Sequence, residues 1–355
     1  AEGKGEKLEA WDWWYYSEKL RKAKYDLDEE ELRPYFKLEN VRAGVFGLTT
    51  KLYGLKFEKL SGQPVYHPDV EVFKVTDADN NLIGILYTDY YPRASKRAGA
   101  WMDNLLPQYV KDGKDHRPVI VNVGNLTKPT ADKPSLLSMD DVETMFHEFG
   151  HALHGLLSRC TYPSLSGTNV ARDFVEMPSQ IMENWCFEPQ VMETYARHFK
   201  TNEPMPRELM NKISNASKFN QGFVETELLS ASLLDMDYHS ITDTAAFDVN
   251  AFEKSALNKI GLIPEIIVRY RSTFFNHIFT GGYSAGYYSY TWSAVLDADA
   301  YQSFVETGDI YNPERAAALR RLLESGDTED PMTLYRTFRG KDAAPDAFLE
   351  REGLK

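Results

Sequence analysis

The sequence predicts a mainly α protein with one small β-sheet. Two observations carry that expectation. Residues 70–126 hold a polar turn between two alternating, β-branched segments and, further on, a short apolar run. Around this region, apolar residues recur at three- and four-residue spacing, the period of a helix face. With 355 residues and a hydrophobic share of 43%, the chain can bury a large core, as one big domain or two joined ones.

The elements follow in order. "LEAWDWWYYSEKLRKAKYD" (8–26) reads as a helix rich in aromatic residues. "DEEELRPYF" gives a short helix, with Asp28 and Glu31 spaced as a capping box and Pro34 as its stop. "NVRAGVFGLTTKLYG" runs from Asn40 as cap to Gly54 as terminator. "VEVFKVTDADNNLIGILYTDYY" is a β-hairpin. Its turn is not a calcium loop, because the sixth and twelfth positions carry Leu82 and Thr88 in place of Gly and Glu. "SKRAGAWMDN" is either a tight loop or a stretch along which an extended chain could lie as an added strand. "RPVIVNVGNL" (117–126) is a buried strand. From there the pattern is helical nearly to the end. N-terminal helices and the sheet therefore occupy about 1–126, and a helical region about 127–355.

Composition excludes some functions. A net charge of −13 argues against a nucleic-acid binder, which needs a basic face. No apolar run approaches the ~20 residues of a membrane helix. The opening "AEGKGEKLEAWDWW" is no secretory signal, and a chain starting at Ala1 without Met is expected to be a processed or cloned product. Cys160 and Cys186 have no metal-like spacing and fit a reducing, cytoplasmic setting as plain core residues.

Chemistry concentrates in "SMDDVETMFHEFGHALHGLLSRC" (138–160). Ser138 is its N-cap and Asp141 the capping-box partner. His147 and His151 are four residues apart on one helix face, separated by about 6 Å along the axis. Two imidazoles so placed can reach one zinc ion, and Glu148 beside them can serve as general base. His154 shares the face but lies about 10 Å from His147, too far to join the pair. A buried helix with satisfied histidines would instead leave Glu148 as an unexplained charge beside an apolar stripe.

A zinc ion with an open position wants a third protein ligand. "ARDFVEMPSQIMENWCFEP" (171–189) offers Asp173, Glu176 and Glu183 on an expected return helix, with Pro178 as a possible kink. Glu183 is seven residues past Glu176 and can accept a hydrogen bond from a ligand histidine. "HIFTGGYSAGYYSYTW" (277–292) adds Tyr283, Tyr287 and Tyr290, which would share one face if helical. Their phenols could stabilise an oxyanion, or form a packing stripe.

Together, "FHEFGHALHG", "LSGTNVARDFVEMPSQIMENW", "VYHPDVEVF", "RPVIVNV", "YRSTFFNHIFTGGYSAGYYSYTW" and "LYRTFRGK" resemble the thimet oligopeptidase family of zinc metallopeptidases. The six-residue interval from His277 to Tyr283 matches its peptidyl-dipeptidase branch. The resemblance implies a gluzincin-type (zincin) catalytic domain of a helical, channel-forming oligopeptidase. It implies one zinc ion on His147, His151 and Glu176, with Glu148 as catalytic carboxylate. It also implies that His277, Tyr283 and Tyr290 contact substrate or oxyanion, and that Tyr287 contacts substrate. The expected substrates are short peptides, losing a dipeptide from the C-terminus. The terminal carboxylate would need a cation, for which Arg271, Arg336 and Arg339 are candidates. An oligo-endopeptidase of the same family and a peptide-binding fragment without turnover are the alternatives. The resemblance covers the C-terminal half of longer family members. The aromatic first helix is therefore expected to expose an apolar patch, or to be covered by a separate N-terminal fragment or by self-association.

Overall fold

The computed structural model describes residues 7–243 and 247–355. A 3₁₀ turn at Ala10–Asp12 leads into α1 (Trp13–Tyr25). Trp13 stacks on Phe223 with ring centroids 4.5 Å apart. Trp11, Trp14, Tyr15 and Tyr16 remain exposed, so the helix presents an apolar patch.

Local capping rules hold only in part. Asp28 caps α2 (Glu29–Leu32), but by accepting the Glu30 N–H rather than by sharing a box with Glu31. Pro34 does not stop the chain there. It opens a 3₁₀ turn at Arg33–Tyr35, where its missing N–H costs nothing. The third helix, α3 (Leu38–Tyr53), begins before Asn40. A backbone bridge between Lys37 and Leu136 and a bond from the Leu38 N–H to the Ser135 carbonyl fix its start. Gly54 ends it in the left-handed region at φ 69°, a backbone that glycine adopts without strain.

Among the described residues, seven strands follow: β1 (Lys56–Leu60), β2 (Glu71–Thr76), β3 (Leu82–Asp89), β4 (Trp101–Leu106), β5 (Tyr109–Lys111), β6 (Lys114–His116) and β7 (Val119–Val123). Five form a mixed sheet in the order β1-β2-β3-β7-β4, in which the β3–β7 pair is parallel. The other two make a separate hairpin. The expected hairpin is β2–β3. Asp77 closes its turn by accepting the Asp79 and Asn81 N–H groups. The expected buried strand is β7. "SKRAGAWMDN" divides: residues 95–100 are turns, and Trp101 onward forms β4, an edge strand paired on one side only.

The remainder is helical: α4 (Met139–Leu157), α5 (Met177–Cys186), α6 (Pro189–Tyr195), α7 (Arg207–Ala216), α8 (Gln221–His239), α9 (Val249–Lys259), α10 (Asn276–Phe279), α11 (Ser289–Val305), α12 (Pro313–Ser325), α13 (Pro331–Arg339) and α14 (Asp346–Arg351). Ser138 and Asp141 form the expected capping box on α4, each side chain accepting the other's N–H at 3.0 Å. Val142, Phe146, Phe149, Leu153 and Leu156 on α4 are buried and join Leu86 and Ile120 of the sheet in the main core. A second, smaller core gathers Leu234 and Tyr238 of α8 with Val268, Phe275, Ile278 and Tyr287. Cys160 and Cys186 are buried and free. Among the described residues, no helix is long and apolar enough to cross a membrane.

Candidate active site

Gly150 decides how closely the two central helices meet. It lies on α4 between His147 and His151, and a Cβ there would stand 2.2 Å from the Pro178 carbonyl oxygen. With no Cβ, the first turn of α5 presses directly onto α4. Glu176 occupies the N-cap position of α5 and is buried. Pro178 sits in the first turn, so it does not kink the helix as expected; that position needs no backbone donor.

The approach brings three side chains together. Glu176 Oε2 lies 3.3 Å from His147 Nε2 and 3.1 Å from His151 Nε2. One donor atom from each of the three falls within 4.8 Å of the others. Two imidazole nitrogens and a carboxylate are the three-ligand set that fits a zinc ion of the catalytic kind. Asp173 is not in this group; it accepts the Tyr288 hydroxyl at 2.8 Å instead. Glu183, further along α5, accepts from His147 Nδ1 at 2.5 Å. That bond turns Nε2 of His147 toward Glu176. His154 is fully buried outside the group, with neither ring nitrogen hydrogen-bonded among the described residues.

Electrostatics follow from burial and from these contacts. Burial opposes charge on His147, but Glu176 and Glu183 outweigh it and hold the imidazole well above its ordinary pKa. Burial likewise opposes ionisation of Glu176, yet His151 and His147 keep its carboxyl well below the usual range. For Glu148, burial outweighs the opposing pull of His147 and His151 and raises its carboxyl. It is 8% exposed, and its Oε2 has no hydrogen-bond partner among the described residues. Asn122 of β7 steadies the backbone there by donating to the Glu148 carbonyl at 2.8 Å.

The tyrosine segment closes over the group. The Tyr283 hydroxyl donates to Glu176 Oε1. Its ring stacks on Tyr290 at 5.3 Å, and Arg172 lies over it at 4.6 Å. His277, on α10, packs among Tyr270, Tyr283, Tyr287 and Tyr290. The three expected tyrosines do not share one helix face. Tyr283 and Tyr287 precede α11 and Tyr290 lies within it, because Gly282 and Ala285 take left-handed conformations that break a helix. The three candidate arginines are all engaged: Arg271 with Glu253, Arg336 with Asp342, and Arg339 with Asp299 and Glu306. Sequence reasoning missed Asn122, Arg172 and Ser179, whose hydroxyl reaches Glu176 Oε2 at 3.1 Å. A polar residue inside the otherwise apolar "VIVNV" run was the available signal for Asn122.

Residues 1–354 match peptidase family M3. The chain belongs to that family. Among its M3 relatives, dipeptidyl carboxypeptidase of Escherichia coli (strain K12) is 47% identical over 353 residues, covering 99% of this chain and 52% of that protein. Oligopeptidase A of the same strain is 39% identical over 360 residues, covering 99% and 52%. The organellar oligopeptidase A of Arabidopsis thaliana is 38% identical over 356 residues, covering 97% and 45%. The chain thus spans about half the length of the curated M3 relatives it matches.

Proposed function

We propose that this chain carries a gluzincin-type, zinc-dependent site that hydrolyses short peptides and releases dipeptides from their C-termini. One observation carries the reading. His147, His151 and Glu176 converge beside Glu148, a buried carboxylate with an unpartnered oxygen. When bound on those three side chains, zinc supplies Lewis acidity for the scissile carbonyl. Glu148 takes a proton from the attacking water and returns it to the leaving amine. Glu183 keeps His147 in its ligating tautomer through the Nδ1 bond. Tyr283, Tyr290 and His277 donate to the oxygen that gains charge; Tyr287, expected to contact substrate, is instead buried in the smaller core, where it packs against His277. The open edge of β4 can pair with an extended peptide.

Release of dipeptides follows the relative at 47% identity, whose name is dipeptidyl carboxypeptidase. The oligopeptidase A relatives favour a second reading, cleavage within the peptide. A fluorogenic peptide offered with a free and with an amidated C-terminus separates the two. Dipeptide release requires the free acid, whereas internal cleavage tolerates the amide. Failure to hydrolyse either peptide with one equivalent of zinc bound would overturn both.

A further inference from the structure

The shape of the tyrosine segment depends on a carboxylate far from it in sequence. Asp235 stands on α8 between Leu234 and Met236 and is fully buried. Its Oδ1 accepts the Ala285 N–H at 3.0 Å, and its Oδ2 accepts the Tyr287 N–H at 2.9 Å. His239, one turn along α8, brings Nδ1 to 2.8 Å from Oδ1. A buried carboxylate with both oxygens engaged in this way is held in one orientation.

The backbone that meets it is unusual. Ala285 has φ +52°, in the left-handed region that a residue with a Cβ rarely adopts. Such a conformation persists where its surroundings impose it. In this bend, two backbone N–H groups turn toward one anion, as in an anion-binding nest. Two further ties of the bend run to α10: the Tyr283 N–H to the His277 carbonyl at 2.9 Å, and the Ser284 hydroxyl to the Ile278 carbonyl at 2.5 Å. Since α10 is only four residues long, those ties fasten the segment to itself. Asp235 fastens it to α8, a helix of 19 residues.

Tyr283 comes two residues before this bend. Its hydroxyl bonds Glu176, the carboxylate shared by both histidines. Tyr287, just after the bend, is buried in the smaller core. The segment is therefore pinned from behind at 285 and 287, which leaves Tyr283 directed toward the candidate metal ligands.

We propose that Asp235 is a positioning residue for Tyr283 in the peptide hydrolysis proposed above, a reading on which this inference rests. It touches neither ligands nor substrate; it sets the backbone that aims the phenol. Asparagine cannot replace it. The single amide oxygen accepts one of the two N–H groups, while the amide nitrogen confronts the other.

Two measurements read this position in the metal-free full chain. The first is amide hydrogen exchange in the unaltered protein. The Ala285 and Tyr287 amides are expected to be protected as strongly as those in the middle of α8. The second is fluorine NMR after 3-fluorotyrosine incorporation, with the Tyr283 resonance assigned by its loss in Tyr283→Phe. In Asp235→Asn that resonance is expected to shift or split, while those of the core residues Tyr195 and Tyr335 stay. In the zinc-loaded chain, Asp235→Asn is expected to lower kcat by up to about 100-fold, the share of one oxyanion donor, with KM unchanged. The same change made in Tyr283→Phe should add no further loss. Exchange of both amides at exposed-loop rates overturns the proposal, even if Asp235→Asn fails to fold. An unmoved Tyr283 resonance in a folded Asp235→Asn also overturns it. If the unaltered chain hydrolyses no peptide, the functional reading fails, while exchange and fluorine spectra still decide where Asp235 holds Tyr283.

Discussion

Replacing Gly150 by alanine should damage metal binding more than it damages the fold. The added Cβ would stand 2.2 Å from the Pro178 carbonyl oxygen and 2.5 Å from the Ser179 Cα. Both atoms are backbone, so no side chain can swing aside. Carbon and carbonyl oxygen approach to about 3.3 Å at closest, so the start of α5 must retreat by about 1 Å. Glu176 is the residue immediately before that turn. Ligand distances tolerate about 0.2 Å, roughly a fifth of the required shift. The fold itself has offsetting terms. Overpacking costs about 1–3 kcal/mol, and alanine regains about 1 kcal/mol of helix propensity over glycine. The expected result for Gly150→Ala is a metal-free stability within about 2 kcal/mol of the unaltered chain, with zinc affinity lower by at least about 10- to 100-fold. Competition against a chromophoric chelator reads the affinity, and denaturant unfolding reads the stability. Gly47→Ala is the control. Gly47 lies within α3 with nothing near its Cβ position, so the change should leave zinc binding intact. Wild-type zinc affinity in Gly150→Ala would refute the claim that helix contact sets the ligand geometry.

Three other perturbations have definite expected outcomes. Glu148→Gln should keep zinc and peptide binding but lower turnover by about 100- to 10,000-fold, because an amide cannot accept the water's proton; metal analysis and single-turnover kinetics check it, and loss of zinc would make Glu148 structural. Tyr283→Phe and Tyr290→Phe should each reduce kcat more than they raise KM, by about 3 kcal/mol of transition-state stabilisation for a single donor; an unchanged kcat in both would return the segment to packing. Burial depresses the His154 pKa to about 3, against about 6.5 when unfolded. The unfolded chain therefore binds a proton that the folded chain refuses, and the neutral ring's stability is complete above pH 6.5 and lost as pH falls toward 3. At pH 5 this amounts to about 2 kcal/mol, so metal-free His154→Gln should show a flatter loss of stability between pH 7 and 5, with zinc binding at neutral pH retained. Equal slopes in the two proteins would mean that His154 is not held neutral.

What the sequence discloses depends on how far apart the cooperating residues lie. The α4 helix was legible because its signals are local. Ser138 and Asp141 cap it, the apolar stripe repeats at helical spacing, and His147 and His151 share a face by geometry alone. The β2–β3 hairpin was legible for the same reason. The start of α3 was not, since a bridge to Leu136 overrides the local cap offered by Asn40. Nor was β1, which is largely exposed and lacks the alternation of a half-buried strand.

The candidate site divides along the same line. A carboxylate near Glu176 could be expected from chain length, but not its place at the head of α5, which needs Gly150 to let two backbones touch. The tyrosine spacing suggested a helix face; the structure instead gathers Tyr283, Tyr287 and Tyr290 around a broken backbone. Asp235 explains both the break and the convergence. It lies 50 residues before Ala285, and locally it is one of two aspartates in "ASLLDMDYH", the one that is fully buried. Its local partner, His239, reaches only Oδ1, and a buried carboxylate oxygen without a donor carries a desolvation cost, so Oδ2 must find its partner elsewhere in the fold. Here the distant partners are the backbone amides that shape the segment carrying Tyr283, and a buried acidic residue on a helix becomes a pointer to a distant loop.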